Sequence, residues 1–236
     1  MKNSSRLILS LLLCLSQAWA IDMDRLMVSG NDFYEQGDFE NAIAEYEKIL
    51  DTEVASTALY YNLGCAYFNQ KTYGKAILYF EKARQLSPRD PDVLHNLEFS
   101  KLFLKDRFDL PEPMPLIGWI MKVRQSVSLW ELQWLEMFLF GIFILSIISY
   151  RLLREGALAR YLFTGSIMFG ILLLLMGGWL LDRANALGDK HAVLLVSEAN
   201  ISSAPIPGSS TLFVIHEGTT AEILDATDTW YEIKLM

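Results

Sequence analysis

The sequence predicts a protein in three parts: an α-helical repeat region, a transmembrane helical hairpin and a small all-β domain. Three observations predict this order. A residue pattern recurs after 34 positions in the N-terminal part, two long apolar stretches occupy the middle, and short β-rich runs between turn residues fill the C-terminal end. Hydrophobic residues make up 52% of the 236 residues, which is high for a soluble protein and low for a polytopic transporter.

Residues 1–20 have the pattern of a signal peptide. Lys2 and Arg6 precede a short apolar run at 7–15, and Ala18-Trp19-Ala20 resembles a cleavage site. The run is too short to span a bilayer, which requires roughly 20 helical residues. We expect cleavage to leave the following region, 21–109, outside the cytoplasm, and an uncleaved anchor is the alternative.

The repeat occupies two windows, at about 23–56 and 57–90. Gly30 and Ala42 of the first window align with Gly64 and Ala76 of the second. The second window matches the eight signature positions of the tetratricopeptide repeat (TPR) with Tyr60, Leu63, Gly64, Tyr67, Ala76, Phe80, Ala83 and Pro88. The chain therefore resembles the TPR family here. The resemblance implies two helix-turn-helix units whose small residues let the helices pack closely.

Residues 92–105 predict one further helix. Leu94, Leu97 and Leu102 form an apolar stripe, and Glu98 stands where another repeat would have glycine. We expect this helix to cap the apolar face of the last repeat.

The TPR resemblance also implies a binding groove, because the first helix of each repeat lines a concave surface in that family. Carried over by position, the groove residues are Asn31, Tyr34, Tyr61, Asn62, Cys65, Phe68, Asn96 and Phe99. Asn31 and Asn62 fall where peptide-clamping members bind a ligand's backbone. Met27, Asp92 and Asn96 replace the basic residues that bind a C-terminal carboxylate. We expect an aromatic and amide groove for a neutral or apolar segment; internal packing of the aromatic residues is the alternative.

Residues 110–128 predict a linker and an amphipathic helix. Three prolines at 111, 113 and 115 stiffen the chain, and apolar residues then recur every three or four positions from Leu116 to Val127. The helix is expected either to lie in a membrane interface or to pack on the capping helix.

Two transmembrane helices are predicted at 129–154 and 160–181. A capping box at Ser128–Glu131 starts the first, and neither 137–150 nor 161–181 contains a charged residue. Between these two uncharged stretches, residues 151–160 carry three arginines and one glutamate, and basic residues in such a turn favour the cytoplasmic side. Both flanking regions are then extracytoplasmic. Neither uncharged stretch contains an acidic or basic residue, which excludes a transport path.

The tail, 190–236, contains four predicted strands at 192–196, 211–215, 221–224 and 231–235. Together with the loop around Pro205 they resemble a bacterial SH3-like barrel. Ser202-Ser203-Ala204 replaces the usual Arg-x-Gly of that family, and a closing strand that the family normally has after this point is not found. We therefore expect an open edge that a partner strand completes.

The remaining composition favours a binding protein over an enzyme. A net charge of −8 without a basic patch excludes nucleic-acid binding. His95, His191 and His216 are scattered, and phosphate loops and nucleophile motifs are absent, so neither catalysis nor a cofactor nor a metal site is predicted. Once Cys14 is removed with the leader, Cys65 has no disulfide partner.

The order of these parts resembles the TPR/SH3 proteins of the Bat (aerotolerance) operons, of the E type. That resemblance implies a non-enzymatic scaffold in the bacterial inner membrane. Its implied partners are von Willebrand A-domain Bat proteins and, indirectly, a MoxR-type AAA ATPase. Two other interpretations stay open: a cell-envelope sensor that binds peptidoglycan, and an assembly factor for exported proteins.

Overall fold

The computed structural model describes residues 23–52, 54–106, 108, 114–153, 155–186, 191–206, 208–227 and 229–235. These residues divide into two compact units. One comprises the described residues of Met1–Arg107 and Val193–Thr220, and the other those of Phe108–Ala192 and Ala221–Met236. The predicted signal peptide lies outside the described residues.

The first unit begins with five helices: α1 (23–35), α2 (Phe39–Leu50), α3 (Thr57–Asn69), α4 (Tyr73–Leu86) and α5 (Pro91–Lys101). From α2 onward, each helix packs on the next. The predicted helical repeat region is therefore confirmed.

Polar side chains define where three of these helices begin. The Asp38 carboxylate accepts a hydrogen bond from the Asn41 N–H of α2 at 3.2 Å. The Ser56 hydroxyl accepts one from the Leu59 N–H of α3 at 3.1 Å. Asp90 caps α5 in the same way, and Pro91 follows it in the first turn, where proline costs no hydrogen bond.

The turn inside each repeat needs a residue with left-handed backbone geometry. Gly37 has φ 77° between α1 and α2, and Lys71 has φ 63° between α3 and α4. The two positions are related by the 34-residue repeat. Glycine adopts this geometry freely, whereas for lysine it costs about 1–2 kcal/mol. The second repeat therefore keeps a strained turn that the first does not have.

Each repeat is centred on an aromatic ring packed against a glycine. A Cβ atom added at Gly64 would lie 2.6 Å from Phe80 Cε1, and one added at Gly30 would meet the Tyr46 ring as closely. Tyr46 and Phe80 are each only 1% exposed. The helices can therefore approach this closely only where the crossing residue has no side chain. The same core includes Ala42, Ile43, Ile49, Leu59, Leu63, Ala66, Tyr67, Ala76, Ile77 and Leu97.

Helix α5 buries a different stripe from the one predicted. Val93, Leu97 and Ser100 face the interior, while Leu94 and Leu102 are exposed. Only Leu97 of the three predicted leucines is buried. Positions 93, 97 and 100 recur at spacings of four and three and form the buried face, whereas Leu102 lies after the last residue of α5.

A β-hairpin completes the first unit. Strand β2 (Glu198–Ser202) pairs antiparallel with β3 (Thr211–His216), in a register that runs from Glu198 opposite His216 to Ser202 opposite Thr211. The sequence predicted β3 but no strand at 198–202. Pairing with β3 makes this segment a strand despite its low intrinsic β-propensity.

Asp106, which follows α5, binds the turn after β3. Its carboxylate accepts hydrogen bonds from the backbone N–H of His216 at 2.5 Å and from the hydroxyl of Thr219 at 3.0 Å. The His216 ring nitrogen Nδ1 lies 2.8 Å from the other carboxylate oxygen. We call this set of residues, Asp106, His216 and Thr219, the carboxylate clasp.

The clasp is reinforced on both sides. Glu217 accepts a hydrogen bond from the Gly74 N–H of α4 at 2.9 Å, and Leu104 packs directly on Gly218, whose φ is 87°. Burial alone would raise the pKa of Asp106, but the hydrogen bonds from His216 and Thr219 outweigh it and hold this pKa below its usual value. Asp106 is therefore ionised at neutral pH.

The second unit contains helices α6 (Pro115–Ser126), α7 (Leu129–Leu153) and α8 (Ala157–Ala186). The predicted capping box is present at the start of α7. Glu131 accepts a hydrogen bond from the Ser128 N–H at 2.9 Å, and the Glu131 N–H donates to the Ser128 hydroxyl at 3.3 Å. Helix α6 has no buried residue, so its apolar stripe is exposed.

Helices α7 and α8 pack along each other as an antiparallel pair. Near the end of α7, Ser146 shares a hydrogen bond with Ser166 at 2.9 Å. Near its start, the Glu136 carboxylate lies against Gly177, later in α8. Each helix is long and apolar enough to cross a bilayer by length and composition. The prediction of two apolar helices is confirmed.

Three more strands belong chiefly to the second unit. They are β1 (His191–Val193), β4 (Thr220–Ala226) and β5 (Tyr231–Leu235), in the order β1-β4-β5, and β4 pairs antiparallel with β5. The predicted small antiparallel β region is thus confirmed. In the described residues its strands form two sheets, and a closed SH3-like barrel stays a prediction.

We predict that Gly64→Ala destabilises the repeat region by about 1–3 kcal/mol, because the new methyl group overlaps the Phe80 ring. Hydrogen exchange of the α3 and α4 amides in the full chain measures this. Phe80→Leu should destabilise the Gly64→Ala chain less than it destabilises the wild-type chain, because the smaller side chain leaves room for the new methyl group. Gly141→Ala is the control, because a Cβ atom added at this helical glycine would meet no side chain within 4 Å. Equal exchange in the two single glycine variants would contradict the close crossing.

We predict that Asp106→Asn lowers the melting temperature at pH 7. A lowered folded-state pKa gives stability that is present above the ordinary carboxyl pKa and is lost as the pH falls through the folded pKa. The difference from wild type should therefore shrink as the pH approaches 3. Thermal unfolding from pH 7 to pH 3 measures it, with Asp32→Asn as an exposed control. A pH-independent difference would show that the carboxylate charge plays no part.

Candidate binding groove

Helices α1, α3 and α5 share one face, and side-chain hydrogen bonds join them there. The Asn62 amide of α3 donates to Asn31 Oδ1 of α1 at 3.0 Å. The Asn96 amide of α5 donates to the Tyr61 hydroxyl of α3 at 2.8 Å. Four of the predicted groove residues are thus brought together in pairs across neighbouring helices.

A second asparagine–tyrosine pair repeats this arrangement. The Asn69 amide donates to the Tyr34 hydroxyl at 2.9 Å, joining the end of α3 to α1. The same amide also donates to the Cys65 carbonyl at 2.9 Å. Sequence reasoning missed Asn69, because it is the last residue of its helix and matches no signature position of the repeat.

The amide of Asn31 is held in one orientation. Besides the bond from Asn62, its Oδ1 accepts a hydrogen bond from the Tyr46 hydroxyl at 2.7 Å. Two donors use both acceptor positions of this oxygen. The amide nitrogen of Asn31 is therefore the part that can meet a ligand. Tyr46 is not among the predicted groove residues, so its contribution to the groove was missed.

The pairs surround a cavity of about 370 Å³ that opens on the shared face. Its lining residues are Asn31, Tyr34, Glu35, Tyr46, Tyr61, Asn62 and Cys65. Five of the eight predicted site residues therefore line one cavity, and Asn96 supports it through Tyr61. Glu35 is the charged member that the positional comparison did not select.

The other ionisable groups of the cavity are neutral at pH 7, and burial moves their pKa values further above neutrality. It raises the pKa of Tyr46 and of Tyr61 to about 12 and raises that of Tyr34 as well. It raises the pKa of the Cys65 thiol to about 11, although a hydrogen bond with Tyr61 works in the opposite direction. At neutral pH these four groups are protonated. Within the described part of the chain, no group of His, Cys, Asp or Glu is arranged to hold a metal ion.

The two predicted phenylalanines form a separate aromatic cluster. Phe68 lies 5.5 Å from Phe99 and 5.2 Å from Phe103, and Phe103 stacks on Tyr73 at 5.0 Å, all between ring centroids. Phe99 and Phe103 remain 43% and 47% exposed. These rings therefore pack against one another and still present an accessible aromatic surface. The sequence analysis did not select Phe103, although the helix predicted at 92–105 contains it.

Comparison with known proteins identifies the helical region. Residues 28–91 match the family model described as tetratricopeptide repeat. The BBSome complex member BBS4 of Bos taurus and that of Mus musculus are each 31% identical over 72 residues, which is 30% of this chain. The match spans 14% of the length of these relatives. The family match lies on the repeats, and the predicted TPR part is confirmed.

We predict that Cys65 reacts about 100-fold more slowly with iodoacetamide in the folded chain than in urea. The thiolate is the nucleophile, and a rise of its pKa from 9.0 to about 11 lowers the thiolate fraction about 100-fold near pH 8. Alkylation kinetics of a Cys14→Ser chain measure Cys65 alone. Equal rates in the folded and unfolded chain would contradict the buried thiol.

Proposed function

We propose that this protein is a non-enzymatic, membrane-anchored scaffold that binds an extended segment of a partner protein on the face of α1, α3 and α5. TPR repeats are a protein-protein interaction module, and residues 28–91 match them. The observation that carries the proposal is the cavity between hydrogen-bonded asparagines and tyrosines on that face.

The groove suits the backbone of a peptide. Asn31 presents its amide nitrogen because its oxygen is already used. Asn62 presents its amide oxygen because its nitrogen donates to Asn31. A donor and an acceptor side by side can bind a peptide carbonyl and a peptide N–H. The exposed rings of Phe99 and Phe103 then offer contact area to apolar side chains of the same segment.

Membrane anchoring is supported by how α7 and α8 expose their apolar residues. In the most apolar 18-residue window of each helix, only 6% of the residues are buried. A core helix of a soluble protein would be mostly buried, so these surfaces need an apolar solvent. Trp130 and Trp134 pack edge to face near one end of α7, where aromatic residues favour the membrane interface.

The carboxylate clasp supports a hairpin that crosses twice. Asp106 precedes the two apolar helices and His216 follows them, yet their side chains are in contact. A chain that joins these two points must cross a bilayer an even number of times. The arginines at 151 and 160 favour a cytoplasmic turn between the helices. Together with the signal-peptide pattern, this supports extracytoplasmic terminal regions.

The order of parts supports a place in a Bat-type stress or aerotolerance complex in a bacterial inner membrane. Its partners there would be von Willebrand A-domain membrane proteins. A MoxR-type ATPase would act indirectly, because only the short turn between α7 and α8 would face the cytoplasm. We further propose that the tail folds as an SH3-like module. A partner strand would pair with β5, which pairs only with β4 among the described strands.

Photo-crosslinking in membranes tests the scaffold proposal. Benzoylphenylalanine replaces Phe99, an exposed ring on the proposed binding face, and in a control chain it replaces Glu40, an exposed residue of α2. The Phe99 position should yield one discrete adduct that stays in the membrane pellet after alkaline carbonate and weakens in an Asn62→Ala chain. Identical adducts at both positions would refute the groove, and release by carbonate would refute the anchor.

A further inference from the structure

The cavity on the proposed binding face carries an electrostatic preference that the peptide-binding proposal does not use. Of its seven lining residues, Glu35 alone is charged at neutral pH, since the Cys65 thiol and the tyrosines remain protonated. Asp92 adds to this character, because its negative charge contributes to the raised pKa of Tyr61. An anionic ligand would meet a carboxylate and no compensating cation in the lining.

The walls of the cavity are suited to a cation on a long apolar stem. Tyr34 and Tyr61 are half-buried and contribute to the lining. Their hydroxyls already accept hydrogen bonds from Asn69 and Asn96, which holds the two side chains in place. Tyrosine rings attract lysine and arginine, and their faces also pack against the methylene groups of those side chains. Glu35 is exposed at the rim, where it can pair with a charge without prior burial.

We propose that this cavity binds the lysine or arginine side chain of a partner protein's segment, with Glu35 pairing its charge and Tyr34 and Tyr61 flanking its stem. The inference rests on the proposed function, because it names the ligand chemistry of the same groove. It differs from the neutral or apolar ligand that the sequence suggested. The reason for the difference is the carboxylate of Glu35, which lines the cavity although Glu35 is not among the predicted groove residues.

A selection from a displayed library of random 12-residue peptides tests this inference. The target is the full chain in lipid nanodiscs, and empty nanodiscs remove background binders. The selected peptides should share a lysine or arginine at one position. Their affinity should fall about five-fold for Glu35→Gln, as expected for a solvent-accessible ion pair, and stay unchanged for the matched variant Glu40→Gln on α2.

A double-substitution cycle assigns the charge to its partner. Replacing the shared basic residue of a selected peptide by norleucine should weaken binding about five-fold to the wild-type chain and hardly at all to Glu35→Gln. An equal loss on both chains would overturn the pairing with Glu35. The selected peptides could instead lack a basic residue and bind the Asn62→Ala chain more weakly than the wild-type chain. That result would overturn the inference and leave the groove function standing. No enrichment over empty nanodiscs would count against both.

Discussion

An aromatic ring packed on a glycine governs the geometry of the helical region. Phe80 covers Gly64 and Tyr46 covers Gly30, at equivalent points of the two repeats. A side chain at either glycine would push the two helices apart. The close approach brings the Tyr46 hydroxyl within 2.7 Å of Asn31, so the same contact that builds the core also supports the groove. The geometry of the binding surface therefore depends on the packing of the core.

The groove is polar but almost neutral, because its hydroxyl, thiol and amide groups carry no charge at neutral pH. Desolvation at the helix interfaces raises the pKa values of the tyrosines and of Cys65 still further. The hydroxyls of Tyr34, Tyr46 and Tyr61 and the amide oxygen of Asn31 each have a partner on another helix. A network that is satisfied in this way holds its side chains in place before a ligand arrives, which reduces the entropy cost of binding. Glu35 is the charged residue among these neutral lining residues.

The carboxylate clasp links segments that the apolar helices separate in sequence. Asp106 and His216 are 110 positions apart, and the lowered pKa of Asp106 reflects the donors that surround its carboxylate. Loop-closure entropy opposes such a distant contact, so several hydrogen bonds act together here. The strand β2 shows the same dependence on distant partners. Its residues have weak β-propensity, and pairing with β3 decides its conformation.

The sequence by itself determined the repeats, the two apolar helices and the β-rich character of the tail. These features depend on local periodicity and composition: the offset from Gly30 to Gly64 and the uncharged stretch at 161–181 need no knowledge of distant contacts. Five of the eight residues predicted for the groove line one cavity, because a repeat places equivalent positions on one face. The tertiary structure alone decided that Glu35 joins the cavity, that Asn31 is held by Tyr46 and that Asp106 meets His216. Those outcomes depend on helix rotation and on contacts across long sequence separations, which no local pattern contains.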